Sequence, residues 1–322
     1  MIEIREIDAA DKWNELVSKC VNFNIFNLHQ WGEFKKSSWQ VKRIAFYKKD
    51  NFIGATQLLF KQKLNFSLAW ISSGIVFTNY KYLGEIVTSL EDYFKGPYVF
   101  RFNFFESSTG EVSFNFDKEQ RLLKCNKSIN SGYTIRFDLS QMNDTVKSMS
   151  SNNRYYYKKA IKNDLSFEEQ EVNVNDFVQN HNEMTDTKKL SAIIVNDKEI
   201  QQIKDCFGES LKMFVVKDGD TLLSSCLIIL HKKHAYYYLA SASSEGREKF
   251  ASFFMVKELI DHLKESGVKH FDFGGITPFK RSAEGVNRFK MGFGGEVINY
   301  VGERQLASSK LLSTIISYVI TR

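Results

Sequence analysis

The sequence predicts an α/β protein of two tandem units, each a mixed and mostly antiparallel sheet flanked by helices. Three observations carry this. The order helix, helix, three strands, helix, strand occurs once before residue 110 and again after residue 165, the pattern of a duplicated unit. Strand-like runs within each half are joined by turns too short for anything but antiparallel neighbours. At 322 residues, 43% hydrophobic and 14% aromatic, the chain can fill two cores. The division is expected near residues 140–165, giving units 1–150 and 151–322. Only Pro97 and Pro278 occur, so no proline-rich linker marks it.

In the first half a helix is expected from Ala9 to Cys20. A second follows in HQWGEFKK, with Trp31 and Phe34 inward and Lys35 and Lys36 outward. Strands follow at VKRIAFYKK, FIGATQLLFKQK after the turn at Asp50 and Asn51, and FSLAWISSGIVF. A helix from Leu83 to Phe94 leads through Gly96 and Pro97 into the strand YVFRFNFFE, and GYTIRFDLS forms another. The segment from Met142 to Asp164 then places Arg154, Lys158, Lys159 and Lys162 on one helix with three tyrosines between them. Such a helix either tracks a phosphate backbone and stacks on a base or simply connects two units with its cations in water.

The second half begins with the strand LSFEEQEV and helices from Asn175 to Lys189 and Asp197 to Phe207. Three strands come next, with turns at Asp218 to Asp220 and at Lys232 to Lys233. The amphipathic helix FASFFMVKELIDHLKESG ends at Gly267, where a helix C-cap favours glycine. The strand KHFDFGG follows, ending in Gly274 and Gly275.

Several function classes are set aside by composition. Cys20, Cys125, Cys206 and Cys226 lie far apart among apolar neighbours, which reads as buried thiols in a reducing cytoplasm rather than a zinc cluster or disulfide frame. The acidic N-terminus does not read as a signal peptide, and no apolar run reaches transmembrane length, so a soluble cytoplasmic protein is expected. The six histidines show no HExxH spacing, and no metal or tightly bound cofactor is implied. A net charge of +6 suits an anionic partner such as a nucleotide, tRNA or an acidic membrane face. The C-terminal SSKLLSTIISYVITR carries an apolar stripe at helical spacing, suited either to packing on its own unit or to peripheral membrane contact.

The stretch from Lys269 to Glu303 reads as a site. A buried strand ends in a glycine pair that delivers backbone amides, a basic loop follows, and a helix carrying Phe289 and Lys290 aims a cation at the place where negative charge forms during acyl transfer. Asp272, between Phe271 and Phe273, serves either as a base or as a structural hydrogen-bond acceptor.

These residues carry a resemblance. GVNRFKMGFGGEVINYVGE resembles the C-terminal signature of the Fem family of non-ribosomal peptidyltransferases, a Gly-Val-x-x-Phe-Lys run followed by a strand ending in Tyr-x-Gly-Glu. LIDHLKESGVKHFDFGG, WISSGIVF, HQWGEFKK and the basic helix after GYTIRFDLS resemble that family in their places, so the similarity covers nearly the whole chain. The resemblance implies two GNAT-like domains without a coiled-coil arm. It also implies transfer of an aminoacyl group from aminoacyl-tRNA to an amine of a peptidoglycan precursor; a monomer is expected. It assigns Lys290 to the oxyanion, Phe289 to packing, Lys35 (or the adjacent Lys36) to the diphosphate of a nucleotide-linked acceptor, and a substrate tyrosine to Tyr236 or Tyr238. Arg154 joins the substrate-binding set. The chain departs from the family where Asn103, not an acid, follows Arg101 and Phe102, and where LSAIIVND has no counterpart of the acceptor-binding Arg and Tyr. Another envelope amine, such as an amino sugar on a nucleotide- or lipid-linked precursor, accommodates those departures. The competing readings are an acyl-CoA-dependent N-acyltransferase of the GNAT class and a non-catalytic RNA- or membrane-binding module. The CoA reading is disfavoured because SSEGREKFASFF has Phe250 where a pyrophosphate loop needs glycine.

Overall fold

A computed structural model describes residues 2–63, 66–125, 127–187 and 195–320. The chain divides into two compact units, one formed by Met1–Gly132 together with Ile298–Arg322, the other by Tyr133–Val297. The division expected at residue 150 therefore moves to residue 132, and the last 25 residues return to the first unit instead of closing the second. The reason is strand pairing. The strand that begins at Glu296 runs antiparallel to Tyr98–Ser107, Glu303 opposite Asn103 and Leu306 opposite Phe100, and its ladder holds the C-terminal segment to the first unit.

The first unit contains β1 (Ile2–Glu6), α1 (Ala10–Val17), α2 (His29–Lys35), β2 (Gln40–Lys48), β3 (Asn51–Lys63), β4 (Phe66–Ile71), β5 (Ile75–Phe77), α3 (Leu83–Tyr93), β6 (Tyr98–Ser107), α4 (Glu111–Lys118) and β7 (Leu123–Lys124). The second contains β8 (Tyr133–Asp138), α5 (Thr145–Ser148), α6 (Ser151–Ala160), β9 (Leu165–Gln170), α7 (Val174–Thr187), α8 (Asp197–Phe207), β10 (Leu211–Asp218), β11 (Thr221–His231), β12 (His234–Ala242), α9 (Ser244–Glu248), α10 (Ala251–Glu265), β13 (His270–Ile276) and α11 (Glu284–Met291). Then β14 (Glu296–Ala307) and α12 (Lys310–Ile320) complete the chain.

The duplication expected from element order is present as topology. Strands of the first unit lie in the order β1-β2-β3-β4-β6-β14 and those of the second in the order β9-β10-β11-β12-β13-β8. In each sheet all neighbours in that order are antiparallel except one pair, β4 with β6 and β12 with β13, the step crossed by α3 in one unit and α10 in the other. Each set is closed by an antiparallel strand from outside its repeat. For the first that strand comes from after the second unit, and for the second it comes from before the repeat begins.

Cores follow the alternation of the strands. Phe100, Phe102 and Phe104 of β6 face α3, where Leu83, Ile86, Val87 and Leu90 are buried. In the second unit Phe271 and Phe273 of β13 share a core with Met255, Val256 and Leu259 of α10. One expected strand is two: WISSGIVF is interrupted at Ser72–Gly74, where the register shifts, and β5 continues in the direction of β4, so that β4 pairs with Leu59–Lys63 and β5 with Gly54–Thr56 of β3. The C-terminal stripe is also divided. On α12 Ser313 is buried and receives Gln305 Nε2 through both its carbonyl (2.9 Å) and its hydroxyl (3.0 Å), while Leu311, Ile315 and Tyr318 are exposed. The side chains of Val319 and Ile320, also counted in that stripe, lie outside the described set. No described helix is long and apolar enough to cross a membrane. Cys20 and Cys226 are buried, and all four cysteines are free thiols.

Candidate active site

The site is built where β13 ends. Phe271 and Phe273 point into the core and Asp272 to the opposite face, as a strand dictates. At Gly274 the backbone turns to φ +79°, a left-handed conformation that glycine adopts without strain, and the pairing with β8 slips between Asp272 and Gly275. The slip turns two carbonyls, of Phe273 and Gly275, toward α11. Lys290 Nζ donates to both, at 2.7 Å and 3.3 Å. A Cβ on residue 274 would lie 3.4 Å from that Nζ and 3.7 Å from the Tyr236 hydroxyl, so the glycine keeps open the space the two groups share.

Lys290 is half-buried, its Nζ 5.2 Å from the Phe273 ring centre and 5.9 Å from that of Tyr237. Burial disfavours the ammonium and brings its pKa down to about 8, against which Asp272 pulls upward. An ammonium has three donors. With two given to fixed carbonyls, the third has no acceptor among the described residues and is left for an incoming oxygen.

Asp272 is occupied. Its Oδ1 accepts from Thr134 Oγ1 (2.6 Å) and the Gly274 amide (2.9 Å), and its Oδ2 from Arg136 Nε (3.2 Å). Of the two roles open from the sequence, this geometry fits the structural one: the carboxylate holds the bulge. The same bond corrects the expectation that the glycine pair offers its amides, because the Gly274 amide is spent on Asp272 and what faces Lys290 is carbonyl oxygen.

Alpha-helix α11 has Asn287 as its only fully buried residue, so polar contacts set its position. Asn287 receives the Thr277 amide (3.0 Å) and donates to the Thr277 carbonyl (2.8 Å), clamping the turn after β13 to the helix one turn before Lys290. Phe289 packs edge-on against Phe253 at 5.0 Å and Phe293 at 5.2 Å. At the other end Asn153 Nδ2 of α6 donates to the Phe289 carbonyl (2.9 Å), and the Ser150 amide to the Gly292 carbonyl (2.8 Å). A Cβ at Gly292 would come within 2.6 Å of Asn153 Nδ2. Gly292→Ala is therefore expected to cost about 1–3 kcal/mol through overpacking and to lower turnover by shifting Lys290. A double-mutant cycle with Asn153→Ala checks this: the pair should be more stable than the sum of the single changes allows.

The structure brings together Lys290, Phe289, Gly274, Gly275 and Tyr236. Tyr238 is half-buried toward α8, and burial together with the Glu199 carboxylate raises its hydroxyl pKa. Arg154 lies exposed on the outer face of α6. Lys35 and Lys36 belong to the other unit. Lys35 Nζ sits over the rings of Phe34 (4.1 Å) and Trp31 (4.8 Å), whereas Lys36 forms an ion pair with Glu33 at 2.6 Å. The expected acceptor segment LSAIIVND lies largely outside the described residues. Asn287, Asn153 and Tyr237 were not legible as site residues; Asn287 alone carried a signal, standing three positions before Lys290 and so on its face of the helix.

The Phe-Lys helix, its strand and the tethering α6 all fall inside residues 144–320, the segment matched by the model of the FemAB family. The chain belongs to the FemAB family. Membership carries a transferase activity. No curated protein sequence matches this FemAB-family chain. Among solved structures it is similar to FemX, with a TM-score of 0.82 at 19% identity over 98% of this chain and 100% of that one. It is also similar to L-PGS from Bacillus licheniformis (TM-score 0.53, 14% identity, 98% of each chain). A tandem GNAT protein from the clavulanic acid biosynthesis pathway matches with a TM-score of 0.51 at 8% identity, over 96% of this chain and 99% of that one. At these identities the likenesses establish the fold, tandem GNAT-like units.

Proposed function

We propose that this FemAB-family protein transfers an aminoacyl group from aminoacyl-tRNA to an amine of a peptidoglycan or other cell-envelope precursor in the cytoplasm. The single observation that carries the reading is the Lys290 ammonium, held by the Phe273 and Gly275 carbonyls with one donor to spare. The acceptor amine attacks the ester carbonyl, a C–N bond forms, and negative charge collects on the former carbonyl oxygen. Lys290 stabilises that oxygen. As the intermediate collapses the C–O bond to the ribose breaks, and a proton from the attacking nitrogen passes to the leaving ribose oxygen. Asp272 is not assigned as base, since three donors already hold it.

Against a CoA thioester donor stands Phe250, which occupies the N-cap of α10 at φ +58° with its ring stacked on Tyr156 at 5.1 Å. A pyrophosphate needs converging amides there, not an aromatic side chain. Lys35 is assigned to the acceptor's phosphate. The experiment offers the protein radiolabelled aminoacyl-tRNA or acetyl-CoA with a nucleotide-linked muramyl peptide or an amino sugar. Label entering an amide from acetyl-CoA alone would end the reading.

A pH profile follows from Lys290. If the ammonium does the work, kcat falls as pH rises through about 8. Stability changes in the opposite sense. The folded pKa lies below the ordinary 10.5, so between about 8 and 10.5 the unfolded chain binds more protons and the folded state gains stability with pH. Relative to Lys290→Met, the wild-type protein should become more stable across that window while losing activity. Thermal melts of both proteins through this range check the sign.

A further inference from the structure

The basic helix α6 has two faces. Asn153, Tyr156, Tyr157 and Ala160 turn inward: Asn153 and Ala160 are buried, the Tyr156 ring lies 4.9 Å from that of Phe253, and the Tyr157 hydroxyl donates to Glu258 at 3.1 Å. Outward stand Arg154, Tyr155, Lys158 and Lys159, with Lys162 just beyond the helix end, and Arg154, Lys158, Lys159 and Lys162 are all exposed. Neighbouring lysines are neutralised: Lys147 by Asp144 (3.7 Å), Lys249 by Asp218 (2.5 Å) and Glu245 (2.6 Å), Lys257 by Glu258 (3.1 Å) and Asp261 (3.0 Å). Among the described residues no carboxylate pairs with any of the four outward cations, although helices ordinarily relieve such crowding with acids one turn away.

Aromatic faces lie among these charges. Tyr155 is 54% exposed. Lys159 Nζ sits 4.7 Å above its ring and 5.4 Å from that of Phe250. Unneutralised cations attract a polyanion, and an exposed ring among them accepts a stacked base; an acidic protein surface would use only the charges. The inward face gives this surface its use. Through Asn153 to the Phe289 carbonyl and Ser150 to the Gly292 carbonyl, α6 is fastened on either side of Lys290.

We propose that the outer face of α6 is an RNA-docking surface, taking phosphates on Arg154, Lys158, Lys159 and Lys162 and a base on Tyr155, so that the acylated end of the RNA is delivered to Lys290. The proposal rests on the donor assigned above. Whatever holds the RNA on α6 also sets its register against the catalytic ammonium, because the two helices share hydrogen bonds.

The test measures binding of fluorescent, unacylated tRNA by anisotropy over a range of KCl concentrations. The proteins are the wild type, Lys158→Ser/Lys159→Ser, Tyr155→Ala, and a charge-matched control, Lys232→Asn/Lys233→Ser, in the turn between β11 and β12. The α6 double variant should bind more weakly, with the log Kd against log salt slope reduced by about 1–2. Tyr155→Ala should lose about fivefold or more in affinity, and the control should match the wild type. Equal weakening of control and α6 variants, unchanged α6 variants, or no binding by the wild type would overturn the surface. So would α6 variants that lose only binding to phosphatidylglycerol vesicles. In turnover assays the two readings separate. If aminoacyl-tRNA is consumed with a KM indifferent to Lys158→Ser/Lys159→Ser, the surface fails and the donor stands; if α6-dependent RNA binding occurs in a protein that never uses aminoacyl-tRNA, the donor fails and the surface stands.

Discussion

Lys290→Met is expected to lower kcat by about 10²–10³-fold, the usual effect of removing one oxyanion donor, while leaving the fold of the first unit untouched. Methionine keeps much of the length of the side chain and removes only the charge and its donors. The Phe273 and Gly275 carbonyls lose a partner, but Gly275 is exposed, so water can replace part of what is lost. A convenient optical control exists. All four tryptophans, Trp13, Trp31, Trp39 and Trp70, fall within Met1–Gly132, so indole emission during urea unfolding reports that unit alone. A variant that retains more than a tenth of wild-type kcat would remove Lys290 from the mechanism.

Glu303→Ala is expected to do the reverse. Glu303 ends the Tyr-x-Gly-Glu signature, yet it is 2% exposed and holds Arg101 Nε at 2.7 Å and the amides of Ile129 and Asn130 at 2.7 and 2.9 Å. Arg101 is itself buried, and its Nη1 has no partner among the described residues. Removing the carboxylate strands a guanidinium and two amides in the interior, at a cost of about 3–5 kcal/mol. The tryptophan-monitored urea midpoint should drop accordingly, with kcat per folded molecule little changed. Arg101→Met/Glu303→Leu, which removes both charges, should cost less than Glu303→Ala. An unshifted midpoint in Glu303→Ala would show that the pair does not brace the first unit.

Local pattern was readable where one element decides its own form. The helix Asp197–Phe207 has its expected bounds because Asn196 caps it through the Glu199 amide (2.8 Å) and Ile200, Ile203 and Phe207 keep one apolar face. In the strand expected over Phe66–Phe77, β4 and β5 keep one direction along β3, and the register shift across Ser72–Gly74 splits them, a feature that alternation does not encode. The exchange of closing strands was invisible for a different reason. Alternation says which face of β14 is buried but not that its partner is β6, almost 200 residues earlier.

The candidate site divides the same way. Lys290, Phe289 and the glycine pair stood out because a motif groups them in sequence. Tyr236 and Tyr238 could not be separated, because alternation puts residues two apart on one face, and the bulge that parts them, in the β11–β12 pairing between Leu227 and Ile228, leaves no mark in the sequence. Asn153 had no local signature at all, its partner Phe289 being 136 positions away.

The return of Ile298–Arg322 to the opening unit reverses the order in which the chain can mature. During synthesis the leading 132 residues emerge early yet lack the strand that pairs with β6, while the other unit has all its strands before β14 is made. Domains commonly finish from the N-terminus onward; here the half that is made first must wait for β14, which follows the whole of the other unit. A stop shortly after residue 297 would release a protein with every catalytic side chain in place and an unzipped front half.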